Sequence, residues 1–319
     1  MKLKVSVIMP TYKRNRDFME TALVSLLEQS YKNLEIIIVD DSPADYEFRQ
    51  DVEDYIKSLK NKKIVYIKNE KNMGGALARN EGIKKATGDY ITFLDDDDKY
   101  LPDKVKNQVA FMVGGGYDMS LSNMLLYNTK GELIDVRKHD DISHLKNREL
   151  MIYHLRHHLT GTPTFMYKAE KLREIGGFDN VKMGQEFVLM LKTIDSGMKI
   201  GYMKDTYDVV VLRHGDSIST SKNKISGERA LYIRKQNYME HCDKKDRKFI
   251  RMRHLAVMSV AYKRNGKIIP FLLYGIAAFI SSPIDILKEL VRYSKNINEQ
   301  KKIVNNLKKE LKAKSGEPL

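Results

Sequence analysis

Short apolar runs alternate, over the first hundred residues, with stretches whose apolar positions recur every three to four. Val5-Ser6-Val7-Ile8-Met9 and Leu34-Glu35-Ile36-Ile37-Ile38-Val39 are rich in β-branched residues. The second is nearly continuous, as in strands covered on both faces. Between them, Phe18 to Ser30 carries apolar side chains at 18, 22, 23, 26 and 27, the stripe of a helix packed on a sheet. The pattern continues with a helix over about 45–60, a strand at Ile64-Val65-Tyr66-Ile67, a helix over about 75–86 and a strand at Tyr90-Ile91-Thr92-Phe93-Leu94. Repeated βα units predict an α/β domain with a largely parallel sheet, whose ligands bind at the carboxyl ends of the strands.

Beyond residue 100 the pattern loosens. Gly114-Gly115-Gly116 marks a turn, Thr164-Phe165-Met166-Tyr167 and Val209-Val210-Val211-Leu212 read as strands, residues 184–196 as a helix, and everything from Glu228 onward as helical. Residues 268–284 are uncharged but flanked by Lys263, Arg264, Lys267, Lys288 and Arg292. Pro270 and Pro283 bracket at most about 13 helical residues, roughly 20 Å, short of the roughly 30 Å a membrane span needs. The expectation is a segment that lies in an anionic lipid interface or packs on the preceding domain. A last helix over about 285–312, with Ile286, Leu290, Ile297, Val304, Leu307 and Leu311 among many Lys, fits either reading or a homo-oligomer contact.

Composition sharpens this in two ways. With 42% hydrophobic and 31% charged residues, the chain is a folded globular protein rather than a disordered one. Its net charge of +14 is unevenly placed: residues 1–220 carry 33 Lys/Arg and 33 Asp/Glu, residues 221–319 carry 23 and 9. A boundary is therefore expected near residue 220, in the polar stretch Ser217-Ile218-Ser219-Thr220-Ser221, dividing a neutral domain (1–220) from a basic helical region (221–319). Nucleic acid, anionic lipid or an acidic substrate would each suit such a charge. The single cysteine, Cys242, excludes an intrachain disulfide, and the N-terminus lacks a signal-peptide core, so a cytoplasmic location is expected.

Candidate chemistry sits where the strands end. Val39 is followed by Asp40 and Asp41, and Leu94 by Asp95, Asp96, Asp97 and Asp98. Both clusters reach one edge of one sheet. Four adjacent carboxylates are either solvated at a loop tip or, pinned by the apolar strand before them, relieved by a divalent cation; oxygen ligands favour Mg or Mn, completed by water and substrate phosphates. Asp40-Asp41-Ser42-Pro43 is good turn chemistry, and a carboxylate there can also accept from a base or a ribose hydroxyl. The same segment resembles the acidic pocket of a receiver domain, but a complete strand and helix precede it and four Asp stand where one phosphoacceptor belongs.

Taken in order, Val5-Ser6-Val7-Ile8-Met9-Pro10-Thr11-Tyr12, Ile38-Val39-Asp40-Asp41-Ser42, Asn72-Met73-Gly74-Gly75-Ala76-Leu77-Ala78-Arg79-Asn80-Glu81-Gly82 and Phe93-Leu94-Asp95-Asp96-Asp97-Asp98 resemble family 2 glycosyltransferases over residues 3–220. The resemblance implies a GT-A fold, a nucleotide-diphospho-sugar donor, UDP favoured, and inversion at the anomeric carbon. It assigns Pro10, Thr11 and Tyr12 to the first nucleotide loop, Asp41 to the uracil with Asp40 beside it, and Asp95-Asp96-Asp97 to the Asp-x-Asp motif. Within that motif Asp97 is the principal Mn or Mg ligand and Asp95 faces the donor ribose or sugar. Arg79 lies near the donor pocket or pairs with a carboxylate.

Ile175-Gly176-Gly177-Phe178-Asp179 and the following Gly184-Gln185-Glu186 resemble the segment that ends in a Glu-Asp pair at a helix start. Here Gln185 replaces the Glu and Glu186 the Asp, which makes Glu186 the implied general base; otherwise Glu186 only favours a helix N-terminus. Arg213-His214-Gly215-Asp216-Ser217-Ile218-Ser219 resembles the His-x-x-Ser-x-Ser segment, with His214 completing the metal shell or touching the diphosphate and Arg213 a phosphate partner. His157 and His158 are structural or line an acceptor cleft with Thr160-Gly161-Thr162.

The resulting expectation is a metal-dependent hexosyltransferase, peripheral on the cytoplasmic membrane face through residues 221–319, that extends a glycan or lipid-linked saccharide for the cell surface. No nucleic acid is expected as partner. The competing readings are a basic nucleic-acid-binding protein, and a sugar nucleotidyltransferase, whose Gly-rich N-terminal loop is missing after Met9.

Overall fold

The computed structural model describes residues 3–213 and 224–315. In chain order its elements are β1 (Val5–Thr11), α1 (Arg16–Leu27), β2 (Leu34–Asp40), α2 (Arg49–Ser58), β3 (Ile64–Lys68), α3 (Gly75–Lys85), β4 (Tyr90–Phe93), β5 (Lys99–Tyr100), α4 (Lys104–Gly115), β6 (Met119–Ser122), β7 (Met124–Asn128) and β8 (Leu133–Arg137). There follow α5 (Asn147–His157), β9 (Met166–Lys168), α6 (Ala169–Glu174), α7 (Gln185–Asp195), β10 (Ile200–Met203), β11 (Val209–Arg213) and four helices, α8 (Lys224–Gln236), α9 (Lys244–Arg264), α10 (Ile268–Ser281) and α11 (Pro283–Ser315).

The main sheet has the order β10-β6-β9-β4-β1-β2-β3. β1 and β2 are central and pair in parallel from Val5 opposite Leu34 to Thr11 opposite Asp40; β1 also pairs in parallel with β4, Val5 opposite Tyr90. This register brings Thr11, Asp40 and the residues after Phe93 out at one edge. Alternation then divides the side chains between two cores. Val5, Val7, Met9, Ile36 and Ile38 pack beneath α1, α2 and α4, while Ile8, Ile37 and Val39 face α3, α5 and α7.

Two expectations change. The sheet is mixed, because β9 runs antiparallel to both β4 and β6. The strand anticipated from Thr164 starts later, at Met166, since Pro163 sits in a short 3-10 turn over Thr162–Thr164 that the Thr164 hydroxyl closes onto the Gly161 carbonyl at 2.7 Å. A second sheet, β5-β11-β7-β8, joins the core beneath α1 and α4 through Tyr100, Met124, Leu126 and Val209.

The expected boundary near residue 220 lies outside the described residues. After it, Leu231, Cys242 and Ile250 of the basic region join the core that holds Ile8 and Phe93. Val304 of α11 packs with Leu125, Val136 and Val210 of the second sheet. The helix α10 differs: only Ala278 is buried, and Ile269 and Ile280 are 73% and 72% exposed. Among the described residues no single helix is long and apolar enough to cross a membrane; α10 and α11 together form a pair bent by 105°.

Candidate active site

A cleft of about 720 Å³ opens at the carboxyl edge of β1, β2 and β4. Pro10, Thr11 and Tyr12 form one lip. Of the adjacent carboxylates at the end of β2, Asp40 and Asp41, only Asp41 lines it. Asp40 is turned inward, where it accepts from the Ser42 N–H at 2.9 Å and the Tyr66 hydroxyl at 2.6 Å, with Arg49 at 3.6 Å. Asp41 accepts from Asn69 Nδ2 at 2.8 Å, from the Met73 N–H on both oxygens at 2.9 and 3.0 Å, and from the Gly74 N–H at 2.8 Å. That nearly fills the acceptor capacity of a carboxylate. It also fixes the loop before α3, whose Gly74 has φ +83, a backbone region that glycine enters without strain.

The four aspartates divide into two pairs. Asp95 and Asp97 keep part of their surface in the cleft, 36% and 27% of each side chain. Asp96 and Asp98 are buried. Burial pushes the Asp96 carboxyl up to about 6, opposed by the Thr11 hydroxyl at 2.7 Å and by Arg14. Asp98 is raised well above the usual carboxylate range by burial and its acidic neighbours, and accepts from the Leu212 N–H at 3.1 Å, which ties the acidic loop to β11.

Two arginines offset the remaining charge. Arg14, resting on the Phe18 ring, lies 3.5 Å from Asp96 and 3.8 Å from Asp97. Arg79 pairs with Asp95 and donates to the Gly75 carbonyl and to Gln185 Oε1, both at 3.1 Å. Arg79 therefore both pairs with a carboxylate and lines the cleft. The Nε atoms of Arg14 and Arg79 are buried without a hydrogen-bond partner, that of Arg14 facing Asp96 at 3.5 Å.

Among the described residues no group of three or more His, Cys, Asp or Glu is arranged to hold a metal by itself. The exposed pair Asp95 and Asp97 fits Mg or Mn in the manner these ions commonly adopt, with one or two carboxylates completed by water and substrate phosphates. His214, the other implied ligand, lies outside the described residues. Arg213 ends β11, exposed and off the cleft lining, with its charge felt by Arg137.

The facing wall begins at Gly184, φ +73, which opens α7. A Cβ there would meet Leu231 Cδ1 at 3.0 Å. Gln185 and Glu186 occupy the first turn of α7, and Glu186 lines the cleft. Beside them sit Thr160, Gly161, Thr162 and His158, whose φ is +60; His157 faces a separate, polar pocket. His158 Nε2 is 2.7 Å from Lys235 Nζ, and burial brings that amine down to about 7. His154, held to about 3 by burial, accepts the Leu159 N–H at Nδ1 and lies 3.0 Å from the Phe187 carbonyl through Nε2. It is a neutral brace for α7.

Sequence patterns did not indicate Arg14, Arg137, Lys224, Glu228 or Lys235. Arg14 carried one usable signal, its place two residues after Tyr12 in a strand-end loop.

Residues 6–176, just over half of the chain, match the family described as glycosyl transferase family 2. The chain is 32% identical over 195 residues to TuaG of Bacillus subtilis, assigned to teichuronic acid biosynthesis, covering 60% of this chain and 73% of TuaG. It is 42% identical over 119 residues, 37% of this chain and 45% of the relative, to the Escherichia coli UDP-Glc:alpha-D-GlcNAc-diphosphoundecaprenol beta-1,3-glucosyltransferase WfaP. It spans only 21% of a Rickettsia felis relative. The mannosyltransferase PcManGT of Pyrobaculum calidifontis, solved with GDP-Man and Mn2+, superposes with a TM-score of 0.57 at 17% identity, covering 93% of this chain and 88% of that one. The fold is GT-A, the extent of the family match leaves one assignment, and the chain is a glycosyltransferase of family 2.

Proposed function

We propose that the protein moves a hexosyl group from a nucleotide-diphospho-sugar, UDP-linked in the first instance, to a hydroxyl of a glycan or lipid-linked saccharide in cell-surface polysaccharide synthesis. One observation carries the reading: Glu186 and the Asp95–Asp98 loop line the same cleft. Pro10, Thr11, Tyr12 and Asp41 are the proposed nucleotide lip. For Asp41 to accept from a base it must give up one of the four contacts it makes with its three protein donors, Asn69 Nδ2 and the Met73 and Gly74 N–H groups. Asp40, engaged with Ser42, Tyr66 and Arg49, then acts by holding the strand end rather than by touching the donor.

In the proposed single displacement an acceptor oxygen forms a bond to the anomeric carbon as the bond from that carbon to the diphosphate oxygen breaks. The electron pair leaves with the nucleoside diphosphate. Glu186 takes the acceptor proton, an effect typically worth about 10²–10⁴-fold. Arg79 and Arg14 hold Asp95 and Asp97 in place and set positive charge beside the proposed phosphate position. Asp97, with Asp95 beside it and His214 as a third candidate, would hold Mn or Mg, which when bound supplies positive charge for the leaving diphosphate.

Residues 1–220 are the proposed catalytic domain and 221–319 the basic region through which it lies on the cytoplasmic face of a membrane. The exposed apolar face of α10, flanked by Lys263, Arg264, Lys267, Lys288 and Arg292, supports that placement. A panel of nucleotide-sugars tested for Mn-dependent binding and slow hydrolysis checks the activity. No response to any donor would refute it.

A further inference from the structure

A second groove, about 520 Å³, runs between α9 and α11. Its walls are apolar, with Ala256 and Val257 on one side and Ile286 and Leu290 on the other. On the α11 side it is lined by exposed apolar side chains, Leu290 at 60% among them. Three cations line it, Lys224, Arg253 and Arg264, against one acid, Glu289.

Lys224 lines both this groove and the catalytic cleft. Burial holds the His158 ring unprotonated, and Lys235, Arg253 and Lys224 add to that effect, so three basic side chains gather near that junction. The nearby carboxylate, Glu228, is already 3.2 Å from His254 Nδ1. A wet apolar channel ending in a surplus of cations is costly. An amphiphile with an anionic head relieves both costs, filling the channel with hydrocarbon and the junction with phosphate.

We propose that the α9–α11 groove holds the apolar chain of a phosphate-bearing acceptor lipid, with its phosphate at Lys224 and Arg253 and its sugar in the cleft facing Glu186. This rests on the reading of the acceptor as lipid-linked. A water-soluble glycan would leave the groove without use, and a peptide would not need the cationic end. The occupant is thus a lipid of the surrounding membrane, drawn in headgroup first.

The test uses the full chain and farnesyl diphosphate as probe, with farnesol, inorganic diphosphate and phosphatidylglycerol vesicles as comparisons, followed by calorimetry. Farnesyl diphosphate should bind more tightly than farnesol or inorganic diphosphate, and UDP should not displace it. Ala256→Trp should fill the groove; each methylene kept out weakens binding about fourfold, so exclusion of two or more weakens it by over tenfold. Leu290→Gln, at an exposed position, should weaken the probe with an unchanged melting transition and keeps the test valid if Ala256→Trp does not fold.

Equal binding of inorganic diphosphate overturns the proposal. So does displacement by UDP, or variants that lose vesicles but keep the probe. Donor hydrolysis by the unmodified chain is scored separately. Hydrolysis without probe binding refutes the groove alone, and probe binding without hydrolysis of any donor refutes the activity alone.

Discussion

Lys235 is buried against the Phe187 ring, with the Leu155 carbonyl at 3.2 Å and His158 Nε2 at 2.7 Å as partners, and the charges of Glu228 and Arg253 acting on it from α8 and α9. Burial lowers the amine from its ordinary 10.5 to about 7. Each tenfold loss of proton affinity is about 1.4 kcal/mol, so holding the charged form in this site costs the fold about 5 kcal/mol. The direction with pH follows. Between pH 7 and 10.5 the folded chain has released a proton that the unfolded chain keeps, so stability rises with pH across that window, and below pH 7 the full cost remains. From pH 7 to 9 the gain is about 2 kcal/mol. Urea denaturation at 25 °C, compared between the wild type and Lys235→Met at both pH values, isolates it, because every other titrating group is common to both chains. The wild type should gain about 2 kcal/mol more than the variant. Equal gains would mean that Lys235 stays charged in the fold, and the reasoning would fail.

Further expected outcomes concern the cleft and the tail. Glu186→Gln should keep donor and metal binding yet lower transfer by about 10²–10⁴-fold; unchanged turnover, measured by product formation, rules it out as the base. Asp97→Ala should abolish Mn-dependent donor binding in a calorimetric titration. Asp41→Asn turns one acceptor into a donor facing the Met73 and Gly74 N–H groups, and should cost about 1.5–3 kcal/mol of stability by denaturant titration. Ile269→Asp combined with Ile280→Asp should weaken the affinity for anionic vesicles, read by co-sedimentation, by upward of about a hundredfold, since each buried aliphatic side chain contributes about 1.5–3 kcal/mol; unchanged co-sedimentation would show that α10 is not the lipid-facing element.

The fold was legible where one periodicity held over a whole element. β1, β2, α1 and α3 are regular, and a βα alternation dictates which strand ends meet, so the acidic edge could be located before any coordinates. Which carboxylate faces the cleft could not. Asp40 and Asp41 are neighbours at a strand end, their side chains leave in different directions, and the choice depends on Tyr66 and Arg49, which come from β3 and α2. The partners of the four aspartates were hidden for the same reason. Arg14 and Arg79 reach them across the sheet edge from a loop and a helix, and Leu212 caps Asp98 from a strand over a hundred residues later.

The basic tail shows where counting charge misleads. Its surplus suggests a solvated appendage, yet Lys224 lines the same cleft as the aspartates, and Lys235 and Arg253 act on His158 of the cleft wall from behind it. The cleft thus has an acidic side and a basic side, and an anion meets different physics at each. On the acidic side a diphosphate approaches carboxylates and is repelled unless a cation stands between. On the basic side a phosphate is attracted directly, with no metal required. Chelation with EDTA separates the two: it should abolish retention of nucleotide-sugar donors while leaving farnesyl diphosphate bound, and raised salt should weaken the lipid probe with or without metal. If EDTA releases both ligands together, one metal site serves both, and the division of the cleft into a donor wall and an acceptor wall is wrong.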